Sequence, residues 1–259
     1  MTRPAPANPW SSVRPGAAFG CLVLGAVVGA VMLVQSGDDD IGPLRTVGAL
    51  LFVLSGWIIS LSLHEFAHAF TAFRFGDHTA ETRGYLTLNP VKYAHPGLSI
   101  GLPLVIILLG GIGFPGGAVY LNESGFSKRQ RTLVSVAGPA TNFVLGIVLL
   151  LVAPLVGDDW LNLKAAVVML GFLQITAAFL NILPVPGFDG YGAIQPYLSR
   201  ETQASMAKIA PYGFLIVFAL LFIPKLNYAF FDVVLGFMNW FDVPRDLLWY
   251  GMQMTIPWR

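Results

Sequence analysis

The chain of 259 residues is 55% hydrophobic and only 11% charged, with a formal net charge of +1 at pH 7. Soluble domains carry about 25% charged residues, so this composition excludes an ordinary soluble protein and indicates a membrane protein with several spans. There is no basic cluster, so no nucleic-acid partner is expected, and the single cysteine, Cys21, excludes a disulfide framework or a thiolate metal site.

The chain begins with a proline-rich polar tail that leads into a first apolar run at residues 17–34. Its flanks resemble those of a signal peptide, but a cleavable signal has an apolar region of about 7–15 residues and is followed by a small-x-small site. The run is longer, and no such site follows it promptly. We therefore interpret it as a transmembrane helix, which with the tail forms an N-terminal unit of residues 1–43.

The second apolar run, residues 44–73, contains the pattern His64-Glu65-Phe66-Ala67-His68. Histidines four residues apart lie on one face of a helix and can bind one metal ion together. Catalytic zinc takes three protein ligands and leaves one position open for water, and Glu65 would lie beside that water as its general base. The alternative is a pair of histidines that only hydrogen-bond within the helix. Ionisable groups at membrane depth usually serve function, which favours the zinc site.

Residues 76–97 are polar, and the apolar run that follows them is short and rich in glycine. At about 16 residues, the run at 99–114 is marginal for a transmembrane helix. Irregular backbone enters a membrane only where protein or water surrounds it. We therefore predict a re-entrant or β-hairpin-like membrane segment around 99–121.

Four further apolar runs complete the predicted fold, at residues 132–156, 165–183, 212–223 and 226–241. The prediction is an all-α polytopic membrane bundle of about six transmembrane helices. With a cytoplasmic amino terminus and a re-entrant segment at 99–114, 12 of the 15 basic residues face the cytoplasm, as is usual for membrane proteins. The expected location is the plasma or inner membrane of the cell, with the active site towards the cytoplasmic side.

The second and fourth predicted spans both descend to the cytoplasmic side, so Asp189 reaches a depth similar to that of the two histidines. A carboxylate is a suitable third zinc ligand, although Asp-Gly is also a common turn pair. Asn181, at the end of the fourth span, could donate a hydrogen bond to an oxyanion or could join two helices. For Asn142 an interhelical hydrogen bond is the preferred interpretation.

Together these motifs resemble the site-2 protease family of intramembrane zinc metalloproteases. The resemblance rests on the histidine pattern and on Asn181-x-x-Pro-x-Pro-x-x-Asp189-Gly190, with Leu86-Thr87-Leu88-Asn89-Pro90 and Ala137-Gly138-Pro139-Ala140-Thr141-Asn142 between them in the family's order. It covers residues 44–192, the expected catalytic core. It implies one zinc ion per chain held by His64, His68 and Asp189, with Glu65 as general base and Asn181 near the substrate carbonyl. Cleavage within or beside transmembrane segments of membrane proteins is the implied activity.

The chain departs from the family in two respects. Relatives often carry histidine and aspartate shortly after the Leu-Asn-Pro stretch, where this chain has Tyr93 and His95; a surface position is the preferred interpretation of His95. No soluble accessory domain interrupts the spans, and residues 193–259 add only a loop and a helix pair. Substrate choice is then expected to come from the membrane core or from a partner, either an adaptor protein or a second copy of the chain.

Three alternatives remain open on the sequence. A metal-handling membrane protein would need further ligands along several spans. A non-catalytic zinc-binding protein that binds transmembrane helices would not need Glu65. A different membrane metallopeptidase would use a glutamate as third ligand, for which Glu123 and Glu201 are available.

Overall fold

The computed structural model describes residues 13–37, 42–93 and 119–255, and these ranges are helical throughout their length apart from short connections and contain no β-strand. In chain order the α-helices are α1 (Ala17–Gln35), α2 (Pro43–Arg74), α3 (Thr79–Thr82), α4 (Pro90–Tyr93), α5 (Lys128–Val152), α6 (Leu161–Asn181), α7 (Asp189–Ile194), α8 (Arg200–Ile209), α9 (Gly213–Leu221), α10 (Pro224–Met238) and α11 (Arg245–Thr255). Six single turns of 3-10 helix lie between them, at Tyr85–Thr87, Ala153–Leu155, Asp158–Trp160, Gln195–Tyr197, Ala210–Tyr212 and Asn239–Phe241.

Five helices within the described residues are long and apolar enough to cross a membrane. They run Ala17–Gln35, Pro43–Arg74, Lys128–Leu155, Asp158–Asn181 and Arg200–Leu221. The predicted all-α polytopic bundle is confirmed, with five such helices in place of about six. The difference lies in the last predicted pair: α8 and α9 run on as one long helical segment, whereas α10 has only 15 residues, short of the roughly 20 that a span needs. The predicted segment around 99–121 lies outside the described residues except for its last three.

Helix α6 lies at the centre of the bundle, where it packs against α2, α5, α10 and α11. It is apolar around its whole circumference, which is the pattern of a helix buried on all sides. Ala165, Val168 and Ile175 are fully enclosed. A central α6 brings its C-terminal end, and the turn that follows, between α2 and α5.

Helices α1 and α2 touch backbone to backbone at Gly29. A Cβ atom built there would lie 2.5 Å from the backbone nitrogen of Phe52 and 2.8 Å from the carbonyl oxygen of Gly48. Small residues at such crossings allow close approach, which gives transmembrane helices their packing energy in the absence of a hydrophobic driving force. The contact fixes α1 along the first half of α2.

Helix α5 runs antiparallel to α6 and forms one wall of the bundle. It begins with a capping box, in which the Ser127 hydroxyl accepts from the Gln130 backbone and the Gln130 side chain accepts from the Ser127 backbone. Its Gly146 lies against Ile175 of α6, and a side chain at that position would clash. Through this contact, the middle of α5 is held at the level of the α2 histidines.

A polar network joins the helix ends at the side of the bundle away from Asp189. The Asn162 side chain donates to the Ser36 hydroxyl (2.9 Å) and the Gly37 carbonyl (2.7 Å), and it accepts from the Tyr250 hydroxyl. Arg45 in turn donates to Tyr250 and lies over its ring. Polar groups at membrane depth must find partners within the protein, and these bonds tie α1, α2, α6 and α11 together.

Candidate metal centre

The two histidines of α2 are buried and face each other. His64 and His68 are each 6% exposed, and their Nε2 atoms lie 3.1 Å apart. The four-residue spacing produces this geometry because side chains one helical turn apart lie on the same face.

Asp189 reaches the same point from the turn after α6. Its Oδ2 atom lies 3.2 Å from His64 Nε2 and 3.4 Å from His68 Nε2. The turn requires glycine at two positions: Gly187 has a φ of +100°, and a Cβ atom at Gly190 would lie 2.0 Å from the carbonyl oxygen of Ile182. Asp189 and Gly190 therefore lie in a tight turn, and this turn places the Asp189 carboxylate next to the two histidines.

Backbone and side-chain acceptors on α5 fix the protonation of both imidazoles. His64 Nδ1 donates to Asn142 Oδ1 (3.0 Å), and His68 Nδ1 donates to the carbonyl oxygen of Val134 (2.6 Å). A nitrogen that faces a carbonyl oxygen must carry the proton, so in the neutral imidazoles that bind zinc each Nε2 presents a lone pair. Two lone pairs and a carboxylate oxygen thus point at one another, an arrangement that repels unless a cation lies between them.

The spacing of these three atoms fits zinc. A tetrahedral zinc ion with bonds of about 2.0–2.1 Å separates its ligand atoms by roughly 3.3 Å. The observed separations are 3.1, 3.2 and 3.4 Å. Among the residues that the structure describes, this is the one cluster of histidine, cysteine, aspartate and glutamate with the geometry to hold a metal ion.

Gly138 of α5 leaves the space that an ion would need. A Cβ atom at this position would lie 2.2 Å from His68 Nε2 and 2.5 Å from His64 Nε2. The absence of a side chain at Gly138 therefore keeps the convergence point of the two imidazoles open. No spacing rule in the sequence marks Gly138 or Val134 as residues of the site, because their roles depend on what α2 presents opposite them.

Replacing Asn142 with alanine is expected to weaken zinc binding by roughly 10–100-fold, the usual effect of removing the partner of a ligating histidine. The His64 ring would lose the acceptor that holds its proton on Nδ1. Asn142→Asp, which keeps an oxygen acceptor, should retain tighter binding than Asn142→Ala. Competition with a fluorescent zinc chelator measures all three affinities. Equal affinities for wild type and Asn142→Ala would show that the hydrogen bond does not support the site.

Glu65 lies beside the histidines and is itself buried, at 5% exposure. The backbone amide of Val119 faces its carboxylate. Tyr93 donates a hydrogen bond from its hydroxyl to the Tyr85 carbonyl (2.7 Å). Burial and the nearby Glu65 carboxylate raise the pKa of Tyr93 above its ordinary range, so the phenol stays protonated and its bond to Tyr85 holds the two ends of the 85–93 connection together. His95 lies outside the described residues.

The remaining predicted site residues lie apart from this cluster or at its edge. Asn181 is the last residue of α6 and is partly exposed, and its side chain makes no hydrogen bond to another described residue. Glu123 lies 3.9 Å from Arg131, and burial raises the pKa of its carboxyl. Glu201 is exposed in the first turn of α8. Neither glutamate belongs to the group around the histidines.

Three bacterial proteins resemble the chain along most of its length. The "Putative zinc metalloprotease Rip2" of Mycolicibacterium smegmatis is 50% identical over 252 residues, which cover 95% of either chain. The protein of the same name from Mycobacterium tuberculosis is 45% identical over 249 residues, again 95% of either chain. The "Putative zinc metalloprotease YwhC" of Bacillus subtilis is 34% identical over 195 residues, 71% of this chain and 84% of that relative. No protein-family model and no solved structure matches the chain.

Proposed function

Since the chain belongs to the site-2 protease family and is a membrane zinc protease, we propose that it hydrolyses peptide bonds within or beside transmembrane segments of membrane protein substrates. The supporting observation is the convergence of His64 Nε2, His68 Nε2 and Asp189 Oδ2 within 3.1–3.4 Å of one another, next to the buried Glu65. In this proposal His64, His68 and Asp189 hold a single zinc ion per chain, and residues 44–192 form the catalytic core.

Zinc, when bound, supplies Lewis-acid chemistry that activates a water molecule and polarises the scissile carbonyl. Glu65 takes one proton from the attacking water as its oxygen bonds to the carbonyl carbon. Glu65 then passes that proton to the amide nitrogen as the carbon–nitrogen bond breaks, which leaves a carboxyl and an amine. Asn181 is proposed to donate a hydrogen bond from its amide to the carbonyl oxygen as negative charge develops there.

A transmembrane substrate must be locally unwound before this reaction, because a helix uses its own carbonyls in hydrogen bonds. We propose that the segment ending at Leu121 pairs with the extended substrate. Its described part, Val119–Leu121, is neither helical nor part of a strand and lies next to Glu65 through the Val119 amide. Strand pairing of this kind is a common way for proteins to hold an extended peptide.

The proposed location is the cytoplasmic half of the plasma or inner membrane, on the ground that 12 of the 15 basic residues then face the cytoplasm. The proposed partners are a transmembrane protein substrate, the lipid bilayer, and either an adaptor protein or a second copy of the chain for substrate selection. A non-catalytic zinc-binding protein that binds transmembrane helices is the alternative, and it has no use for a buried glutamate beside the metal centre.

Glu65→Gln is expected to retain zinc and to lose cleavage by roughly 10²–10⁴-fold, because glutamine keeps the shape of the side chain but cannot take a proton. The assay combines metal analysis of the purified protein with fragment detection on a single-span reporter protein whose transmembrane helix carries a central Gly-Gly pair, reconstituted in liposomes. Glu201→Gln, an exposed glutamate on α8, is the matched control and should match wild type in zinc and in cleavage. Equal cleavage by Glu65→Gln and wild type would remove Glu65 from the mechanism. A wild-type protein that binds the reporter without cutting it would favour the non-catalytic alternative.

A further inference from the structure

Asp77 is a buried carboxylate without a cationic partner among the described residues. It lies just beyond the C-terminal end of α2 and is 3% exposed. Its Oδ1 atom accepts from the backbone nitrogen (2.9 Å) and the hydroxyl (2.5 Å) of Thr79, and its Oδ2 atom accepts from the backbone nitrogen of Asn122 (2.9 Å). Burying a charge is costly unless hydrogen bonds compensate, and charge-assisted bonds are about twice as strong as neutral ones. The carboxylate thus joins the end of α2 firmly to a segment 45 residues later.

That segment, residues 119–122, has no regular secondary structure and is held by side chains from the connection between α2 and α4. Arg83 donates to the Tyr120 carbonyl (2.9 Å), and the Tyr120 backbone nitrogen donates to the Tyr85 hydroxyl (3.5 Å). The side chains of Val119 and Leu121 pack against the apolar cluster of Ala69, Ala80, Tyr85, Leu86 and Tyr93. Asp77 holds the end of the segment that leads on to α5.

The beginning of the same segment lies on the Glu65 face of α2. Val119 packs against the cluster that contains Ala69, which is one helical turn after Glu65 on the same face, and its backbone amide faces the Glu65 carboxylate. A general base must lie within hydrogen-bonding reach of the proton that it abstracts, so its neighbours decide how it is oriented. The position of the segment therefore bears on the position of Glu65. Asp77 and Asn122 also line a cleft of about 430 Å³, which gives the segment space to move if it is released.

We propose that Asp77 is a positioning residue: by binding the Asn122 backbone amide it holds the segment 119–122 in place against α2 and so keeps the Val119 amide beside the Glu65 carboxylate. The proposal rests on the role of Glu65 in the proposed function. Asp77 itself is placed outside the metal centre and touches neither His64, His68 nor Asp189.

Asp77→Asn tests this with three readouts. Asparagine turns one of the two acceptor atoms into a donor, which would face another donor, either the Asn122 amide or Thr79. We expect kcat on the Gly-Gly reporter to fall about tenfold, because the loss of a charge-assisted bond at Asp77 disturbs the orientation of Glu65. KM should rise as well, because the released segment is the one that we propose to pair with the substrate. Zinc content should equal that of wild type. Maleimide labelling of Leu121→Cys, in a Cys21→Ser background that removes the chain's one cysteine, should become several-fold faster.

Two further variants sharpen the result. Thr79→Val removes a hydroxyl donor to Asp77 but leaves the bond to Asn122, so it should match wild type in all three readouts. Asn122→Pro removes the backbone N–H that donates to Asp77, so it should reproduce the effects of Asp77→Asn. It replaces Asp77→Asn in the test if that variant does not fold. Unchanged cleavage, unchanged labelling at residue 121, or loss of zinc would each overturn the proposal. Labelling and zinc content do not depend on activity, so they test Asp77 even if the reporter is never cleaved and the proposed function fails.

Discussion

Gly138→Ala is expected to abolish zinc binding and proteolysis together. The added methyl carbon would lie 2.2 Å from His68 Nε2 and 2.5 Å from His64 Nε2, close to the bond lengths of about 2.0–2.1 Å that zinc makes to imidazole nitrogen. It would thus occupy the place of the ion. The imidazoles cannot move aside freely, because Asn142 and the Val134 carbonyl hold their other nitrogens. Metal analysis of the purified protein and cleavage of the Gly-Gly reporter measure the two losses.

Two alanine substitutions at other glycines separate occlusion of the metal from general damage. Gly236→Ala adds a methyl group where no atom lies within 4 Å, so it should leave stability, zinc and cleavage unchanged. Gly251→Ala, on α11, clashes with the carbonyl oxygen of Ala165, at 2.6 Å, near the end of α6 that lies away from Asp189. It should lower the melting temperature while zinc remains bound. Stoichiometric zinc in Gly138→Ala would mean that the ion does not lie between the imidazoles and α5.

The convergence of His64, His68 and Asp189 could be predicted from sequence because each step rests on a local rule. The four-residue spacing places both histidines on one face of a helix. The second and fourth predicted spans cross the membrane in the same direction, so their ends lie at similar depth. The contribution of α5 could not be predicted in the same way. An interhelical hydrogen bond is expected for any amide such as Asn142 at membrane depth, but the partner is set by the rotation of α5 about its axis. That rotation results from the packing of α5 on α6, where Gly146 of α5 meets Ile175 and Gly171 of α6 meets Leu150, and no pattern within α5 reveals it.

The connections were harder to predict than the helices. The number of spans differs because hydropathy does not show whether a polar stretch such as residues 200–209 continues a helix into the next apolar run. Asp77 looks in the sequence like an ordinary turn residue after a helix, since its long-range partner is a backbone amide and backbone groups carry no sequence signal. The same holds for Val134, whose carbonyl binds His68 although its side chain is ordinary for the core.

Asp189→Ala is expected to weaken zinc binding by roughly a hundredfold or more and to reduce cleavage below detection. Structural zinc sites with four ligands bind with about 10–16 kcal/mol, so one ligand of three accounts for several kcal/mol, each 1.4 kcal/mol being tenfold. Two neutral imidazoles would remain, without the anionic oxygen that lies 3.2 and 3.4 Å from them. Zinc titration against a chelator of known affinity gives the change directly, and Asp189→Asn should fall between alanine and wild type because its amide oxygen is a weaker ligand.

The controls for this prediction address the competing ligands. Glu123→Gln alters a carboxyl that pairs with Arg131, and Asp158→Asn alters an exposed carboxyl that pairs with Lys164 at the far end of the bundle. Both should bind zinc as tightly as wild type. If Asp189→Ala kept full affinity while Glu123→Gln lost it, the third ligand would be a glutamate on the segment before α5. The chain would then build its metal centre from α2 and that segment, and the turn after α6 would have no part in holding the ion.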